Sequence, residues 1–131
     1  MKLQGGCHCG QVRYQVETPD KLVLSECNCS ICYKSGMIGL IVPRAQFQLL
    51  RGEDQLSTYT FNTSTAQHHF CSNCGVKSFY VPRSHPDGVS VNFRCLDDAA
   101  TLDHKLSPFN GQEWEQQYPA GRAESCPNAL D

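Results

Sequence analysis

Several features that would place this chain in a familiar class are absent from its sequence. No apolar stretch approaches the roughly 20 residues that cross a bilayer, and the segment MKLQGGCHCG lacks the apolar core of a signal peptide. Lys and Arg are scattered rather than gathered in a basic run, and the net charge is −2. We therefore expect no membrane association, no nucleic-acid binding through phosphate contacts and a cytoplasmic location.

Long regular patterns are also missing. The sequence contains no extended amphipathic helix, internal repeat, low-complexity stretch or linker. Its 131 residues, 40% of them hydrophobic and 18% charged, suit one folded domain, because two domains of half this length would each bury too small a core. We predict a single domain over residues 1–131, with its core at about 5–114 and a loose tail at 119–131.

Short apolar or alternating runs predict a mainly β fold. In QVRYQVE, Val12, Tyr14 and Val16 alternate with polar residues, as in a strand buried on one face. Further runs of strand length are KLVLSE, MIGLIV, LSTYTF, VKSFYV and GVSVNF, and Pro, Gly, Asn and Asp separate them. The segment RAQFQLL is compatible with a short helical turn, and the strand pattern weakens after about residue 100.

What the sequence does have is cysteine, nine residues of it. Seven fall into three clusters: Cys7 and Cys9 (C-x-C), Cys27, Cys29 and Cys32 (C-x-C-x-x-C), and Cys71 and Cys74 (C-x-x-C). An odd number without an export signal argues against a disulfide framework, and a C-x-C disulfide would be strained. In a reducing compartment, closely spaced thiols more often bind metal or carry out redox chemistry. We therefore predict metal binding.

The number of thiols in each cluster predicts two zinc sites with different roles. Structural zinc takes four ligands, and two distant two-cysteine clusters supply four together. Three ligands leave a position open for water or substrate, which is the arrangement of a catalytic zinc. The prediction is a structural zinc on the outer cysteines (Cys7, Cys9, Cys71, Cys74) and a catalytic zinc on the central ones (Cys27, Cys29, Cys32).

The all-thiolate ligand set of the central cluster also points to a class of substrate. Three thiolates carry net negative charge, which makes a bound zinc a poorer Lewis acid than one held by three histidines. Such a site is better suited to taking up an incoming thiol and keeping it as the thiolate. We therefore expect thiol substrates.

Other arrangements fit the same residues. A single zinc on the outer cysteines would leave the central three as reduced or redox-active thiols. A fourth ligand from His8, His68 or His69 would instead close the central site as a structural one. The spacing does not exclude that the clusters exchange zinc ligands with one another. A reducing compartment disfavours disulfides. An iron–sulfur cluster has no positive support in the sequence.

A few residues outside the clusters are secondary candidates. Arg94 is a candidate clamp for a carboxylate, and Lys34 for neutralising the thiolates or holding a carboxylate, although ordinary solvated positions fit both. Alternation places His68 and His69 on opposite faces of a strand, so at most one points inward. The sequence assigns no role to Cys95 or Cys126.

Four motifs resemble one known family. GGCHCGQVRYQV, CNCSICYKSG, HHFCSNCGVKSFY and VNFRCLD, in this order, resemble the glutathione-dependent formaldehyde-activating enzyme (GFA) family, which also includes centromere protein V. The resemblance runs from about Gly5 to Trp114, and CGVKSFYVPRSHPDG is closer to the centromere protein V branch. It implies a β-tent fold, two layers of antiparallel sheet related to zinc ribbons, and the same division into a structural and a catalytic zinc.

The resemblance also implies an activity. The family joins glutathione and formaldehyde through a carbon–sulfur bond to give S-hydroxymethylglutathione. We therefore expect a zinc-dependent carbon–sulfur lyase or synthase, with two zinc ions per chain, acting on a glutathione-type thiol and a small aldehyde. Because glutathione and formaldehyde combine without an enzyme, the alternative is a non-enzymatic zinc module that binds a thiol ligand or a protein partner. The sequence does not indicate the oligomeric state.

Overall fold

The computed structural model describes residues 1–61, 64–109 and 126–130. These ranges contain ten strands and one α-helix: β1 (Lys2–Gly6), β2 (Arg13–Glu17), β3 (Leu22–Cys27), α1 (Ser30–Ser35), β4 (Gly39–Pro43), β5 (Phe47–Arg51), β6 (Leu56–Tyr59), β7 (Gln67–Cys71), β8 (Phe79–Val81), β9 (Gly88–Asn92) and β10 (His104–Phe109). The mainly β fold expected from the alternating runs is confirmed. None of the described helices is long and apolar enough to cross a membrane.

The strands form two sheets. A three-stranded sheet has the order β1-β2-β5, and a seven-stranded sheet has the order β10-β3-β4-β9-β8-β7-β6. The prediction of two sheets is confirmed. Neighbouring strands are antiparallel, except that β10 lies parallel to β3. The sequence pattern did not predict β10, because this edge strand is largely exposed and has no alternation of buried and exposed residues.

Aromatic side chains join the two sheets across the core. Val12, Tyr14 and Val16 are fully buried, as their alternation predicted. The rings of Tyr14 and Phe47, from the three-stranded sheet, lie 6.0 and 4.8 Å from that of Phe79 in the other sheet. The Tyr14 hydroxyl donates to the Ser78 carbonyl at 3.1 Å, so its one polar group is satisfied inside the core.

One local expectation is confirmed, and one element was not expected. The segment RAQFQLL contains only one turn of 3-10 helix, Arg44–Gln46, and continues as β5, because Phe47 packs into the core. The helix α1 lies instead within the central cysteine cluster, where no pattern predicted it. Six residues are too few for the 3.6-residue period to be visible, and the helix ends at Gly36 in the left-handed conformation (φ 68°).

The end of the chain also departs from expectation where it is described. Asn128 is fully buried and its side chain hydrogen-bonds to backbone groups of β3 and β4. Gln46 adds bonds to the Asn128 carbonyl and the Leu130 amide. The expectation of a loose tail is therefore wrong for residues 126–130, whereas residues 119–125 and 131 lie outside the described residues, as does Trp114, where the resemblance ends.

Candidate metal centres

Two tight turns bring the four outer cysteines together. Cys7 and Cys9 follow β1, and the Cys7 N–H donates to the Val12 carbonyl as the chain turns into β2. Cys71 ends β7, and its N–H donates in the same way to the Val76 carbonyl. Each turn continues through a glycine directly after the second cysteine with positive φ, Gly10 at 81° and Gly75 at 78°, a conformation that other residues rarely adopt.

The sulfur positions of this outer group fit zinc. The Sγ atom of Cys9 lies 3.6 Å from that of Cys7 and 3.7 Å from that of Cys71, and all four ligand atoms lie within 4.8 Å of one another. Sulfurs about 2.3 Å from a tetrahedral zinc are about 3.8 Å apart. The Val12 N–H donates to Cys7 Sγ at 3.3 Å, a bond that favours the thiolate. The group can therefore hold a metal without rearranging.

The outer group also joins the two sheets. One of its turns connects β1 to β2 in the three-stranded sheet, whereas the other connects β7 to β8 in the seven-stranded sheet. A metal at this position would bridge elements that are more than 60 residues apart in the sequence, as the spacing between Cys9 and Cys71 requires. Cys95 lies close by but does not join the group, and burial, reinforced by Cys7 and Cys74, raises its pKa to about 11.

The three central cysteines form a second group, at the end of β3. Cys27 is the last residue of that strand, Cys29 precedes α1, and Cys32 lies in the first turn of the helix. Their ligand atoms lie within 4.8 Å of one another, and Cys32 is buried whereas the other two are half-buried. The loop and helix together therefore direct three thiols to one point.

Hydrogen bonds concentrate the negative charge of this group on one sulfur. The pKa of Cys29 lies far below its ordinary value, because the thiols of Cys27 and Cys32 and the N–H groups of Cys32 and Ile31 donate to it. The hydrogen bonds of the Cys32 thiol to Cys27 and Cys29 raise the pKa of Cys32, and burial adds to that effect. The metal-free group is thus disposed to carry a first thiolate at Cys29.

Within the part of the chain that the structure describes, no side chain completes this second group. Among residues 1–61, 64–109 and 126–130, no His, Cys, Asp or Glu adds a fourth ligand atom to the three thiols. His8 is exposed, and the His69 ring bonds to Thr58 Oγ1 at 2.8 Å and packs against Phe79. A metal bound by three thiols would therefore keep one position open within the described part of the chain.

His68 points inward, as one of the two neighbouring histidines was expected to do. It is only 3% exposed and stacks on Tyr80, which faces it across β7 and β8, with ring centroids 5.0 Å apart. Lys77 Nζ donates to its Nδ1 at 2.8 Å and lies 4.2 Å from the centre of the Tyr80 ring. The Tyr80 hydroxyl in turn lies 3.8 Å from Cys32 Sγ.

We call these three side chains, His68, Lys77 and Tyr80, the polar wall. Burial, together with Lys77, lowers the pKa of His68 to about 4, which leaves its ring neutral at pH 7. Burial lowers the pKa of Lys77, and the charges of the three central thiols oppose that shift. Sequence reasoning missed Lys77 and Tyr80, because Tyr80 meets His68 only through the register of β7 against β8, and Lys77 meets both rings only in the folded chain.

A cavity opens on another side of the central thiols. Its volume is about 620 Å³, within the usual range for small-molecule sites. The lining includes Cys27 and Cys32, the aromatic ring of Tyr33, and two charged residues of opposite sign, Glu26 and Arg94. Arg94, the candidate clamp for a carboxylate, thus lines the cavity, whereas Lys34 is exposed and does not line it.

Comparison with known proteins assigns a family to this arrangement. The model of a family described as "Glutathione-dependent formaldehyde-activating enzyme" matches residues 2–116. A Halomonas elongata protein named "Putative glutathione-dependent formaldehyde-activating enzyme" is 35% identical over 82 residues, which are 56% of this chain and 52% of that protein. The match therefore spans about half the length of that relative.

A solved structure supports the fold. The crystal structure of a Rhodobacter sphaeroides protein superimposes on this chain with a TM-score of 0.68 and 30% sequence identity. The superposition covers 80% of this chain and 100% of the other. The two proteins therefore share an architecture over most of the described residues.

Proposed function

The chain belongs to the glutathione-dependent formaldehyde-activating enzyme family, and from that membership we propose that it is a zinc-dependent carbon–sulfur lyase. It would join a glutathione-type thiol reversibly to a small aldehyde. The observation that carries the proposal is the pairing of an incomplete three-thiol group with a cavity of about 620 Å³. The four-thiol group, complete and placed between the two sheets, supports a structural role for a second zinc.

The chemistry of the ligands determines what zinc would supply in the second group. When bound by Cys27, Cys29 and Cys32, zinc would lower the pKa of a thiol at the open position, so that the sulfur is present as thiolate near neutral pH. The chain's own residues would then bind that thiol, hold it in one orientation and shield the reacting sulfur from bulk water.

The charges that line the cavity suit a glutathione-type molecule. Such a thiol has two carboxylates and one ammonium group, and the guanidinium of Arg94 would bind a carboxylate. The carboxylate of Glu26 lines the same cavity and would bind the ammonium. Among the described residues, the Arg94 side chain has no acidic partner, which leaves its guanidinium available. A thiol without these charged groups would bind less tightly.

The reaction itself conserves atoms and charge. The thiolate sulfur attacks the carbonyl carbon, a sulfur–carbon bond forms, and the π electrons of the carbonyl move to its oxygen. The alkoxide then gains one proton, which balances the proton that the thiol lost. The reverse sequence breaks the carbon–sulfur bond, so the same site would serve both directions.

Exchange spectroscopy by NMR tests the proposed activity. Purified protein should accelerate the exchange between glutathione, formaldehyde and their adduct beyond the spontaneous rate. Cys29→Ser should abolish the acceleration, and Cys95→Ser, outside both thiol groups, is the matched control that should retain it. No acceleration with any small thiol would contradict the proposal and favour a non-enzymatic zinc module that binds a thiol or a partner protein.

The thiol chemistry also bears on location. Both groups require reduced cysteines, which persist in the cytoplasm and are oxidised in export compartments. We therefore place the proposed activity in the cytoplasm, where glutathione is available to it.

A further inference from the structure

The polar wall holds the ammonium group of Lys77 by two separate contacts. Lys77 Nζ donates to His68 Nδ1 at 2.8 Å and lies 4.2 Å from the Tyr80 ring centre. The rings of His68 and Tyr80 are stacked with an angle of only 14° between their planes. Two contacts to parallel rings therefore fix the end of a side chain that is otherwise flexible.

Hydrogen-bond donors of this wall remain unused. An ammonium group has three N–H donors, and His68 takes one of those of Lys77, whereas no second acceptor is present among the described residues. His68 Nε2 is buried and also has no partner within the described ranges. Because Lys77 can only donate, His68 Nδ1 must accept, so the neutral ring carries its proton on Nε2. The wall therefore presents several donors and lacks acceptors for them.

Tyr80 connects the wall to the central thiols. The Tyr80 hydroxyl is 3.8 Å from Cys32 Sγ, and Lys77 lies over the same ring. Lys77 is half-buried, and the charges of Cys27, Cys29 and Cys32 oppose the lowering of its pKa by burial. Lys34 and Arg94, the other cations near the group, are solvent-exposed instead.

We propose that Lys77 binds the carbonyl oxygen of the electrophile at the central thiol group, and that His68 is a positioning residue that holds Lys77 there. The inference rests on the proposed function, because it assigns the second substrate to the wall and the thiol to the cavity. Lys77 is thus a catalytic residue for the addition, and His68 acts through it.

The role follows from the charge that develops in the reaction. As the sulfur–carbon bond forms, the carbonyl π electrons collect on oxygen, and ammonium donors in a half-buried position stabilise that oxygen more than the uncharged carbonyl. The proton that completes the hydroxyl comes from water, which has received the proton of the thiol. Lys77 remains an ammonium group throughout.

Two small thiols can distinguish a Lys77 that binds an oxyanion beside the sulfur from a Lys77 that only adds positive charge to the site. Mercaptoacetate carries an oxyanion near its sulfur, as the alkoxide adduct does, whereas ethanethiol carries none. Their affinities are measured on the cobalt-substituted protein from the sulfur-to-cobalt absorption. Wild-type protein should bind mercaptoacetate at least about tenfold more tightly, and Lys77→Met should remove that preference. Lys34→Met, an exposed lysine beside Cys32, is the matched control and should keep it.

Substitutions at His68 test the positioning role. His68→Phe keeps a ring stacked on Tyr80 but has no acceptor for Lys77, so it should lose most of the preference for mercaptoacetate. His68→Asn restores an acceptor close to the position of Nδ1 and should recover part of it. Circular dichroism and metal content identify any variant that fails to fold. A structural role alone would change both affinities without changing their ratio.

The outcomes distinguish the inference from the function on which it rests. A mercaptoacetate preference that survives Lys77→Met, or that disappears in Arg94→Met instead, overturns the assignment of Lys77. If the mercaptoacetate preference depends on Lys77 but the wild-type protein does not accelerate the exchange of glutathione and formaldehyde, the oxyanion site stands and the proposed lyase activity fails. If exchange is accelerated and Lys77→Met slows it about tenfold or more without weakening ethanethiol binding, both are supported.

Discussion

The side-chain amide of Asn128 makes both hydrogen bonds that the backbone of Val23 offers on one side of β3. Its Oδ1 accepts from the Val23 N–H at 2.8 Å, and its Nδ2 donates to the Val23 carbonyl at 2.9 Å and to the Ile41 carbonyl at 3.0 Å. Beside this point, β3 and β4 pair only between Ser25 and Gly39. Asn128 therefore supplies hydrogen bonds where β3 and β4 do not pair with each other. β3 is the strand that ends at Cys27, the first of the central thiols.

Replacing Asn128 with Ala should destabilise the protein. Three backbone groups, one buried and two partly buried, would lose their partners, so we expect the free energy of unfolding to fall by about 2–4 kcal/mol. Urea denaturation at a fixed zinc concentration measures the change. Gln48→Ala is the matched control, since that amide is exposed on β5 and should cost less than about 0.5 kcal/mol. Equal effects of the two substitutions would contradict the structural role of residues 126–130.

Metal content should separate the two thiol groups. Protein purified without chelator is expected to contain two zinc ions per chain, and Cys29→Ser should contain one while remaining folded. Cys71→Ser should unfold, because zinc at the outer group contributes directly to folding free energy. Elemental analysis and circular dichroism check both results, with Cys95→Ser as the unaffected control. A firm value of one zinc in the wild-type protein would overturn the two-site model.

The neutral state of His68 should be visible by NMR. Its pKa of about 4 and the bond from Lys77 predict an imidazole protonated only on Nε2 throughout the physiological range. Ring nitrogen shifts of labelled protein, assigned by comparison with His68→Asn, report the tautomer. A ring protonated on Nδ1 at pH 7 would contradict the hydrogen bond and the polar wall built on it.

The same pKa has a consequence for stability. In the unfolded chain a histidine has a pKa near 6.5, so between pH 6.5 and about 4 the unfolded state binds more protons than the folded state. Stability should therefore fall as pH decreases through this interval. His68→Phe removes the contribution, so its free energy of unfolding should depend less steeply on pH than that of the wild type. Identical slopes would mean that His68 is not buried as a neutral ring.

Arg94 should determine selectivity among thiols. Arg94→Met is expected to weaken glutathione binding about tenfold, because one charge-assisted bond to a carboxylate is lost from an exposed position. Binding of ethanethiol, which has no carboxylate, should be unchanged. Arg44→Met is the control, since that arginine is exposed and does not line the cavity. Titration of the cobalt-substituted protein with each thiol gives both affinities, and parallel losses for the two thiols would argue against a carboxylate contact.

Much of this protein follows from sequence patterns alone. The alternation of Val12, Tyr14 and Val16 predicted a strand that is buried on one face, because successive side chains of a strand point to opposite sides. Cysteine counting predicted which thiols come together, since metal ligands must match a small coordination number. The same alternation predicted that His68 and His69 point to opposite faces of a strand, and His68 is the one that points inward.

Only the tertiary structure decided what surrounds the central thiols. Lys77 and Tyr80 give no signal in the sequence, because the register between β7 and β8 pairs Tyr80 with His68, and only the folded chain brings Lys77 to both rings and Tyr80 to Cys32. Asn128 reaches Val23 across 105 positions of the chain, a distance that no local pattern spans. Local residue types thus determined the strands and the ligands, whereas long-range pairing determined which charges and donors face them.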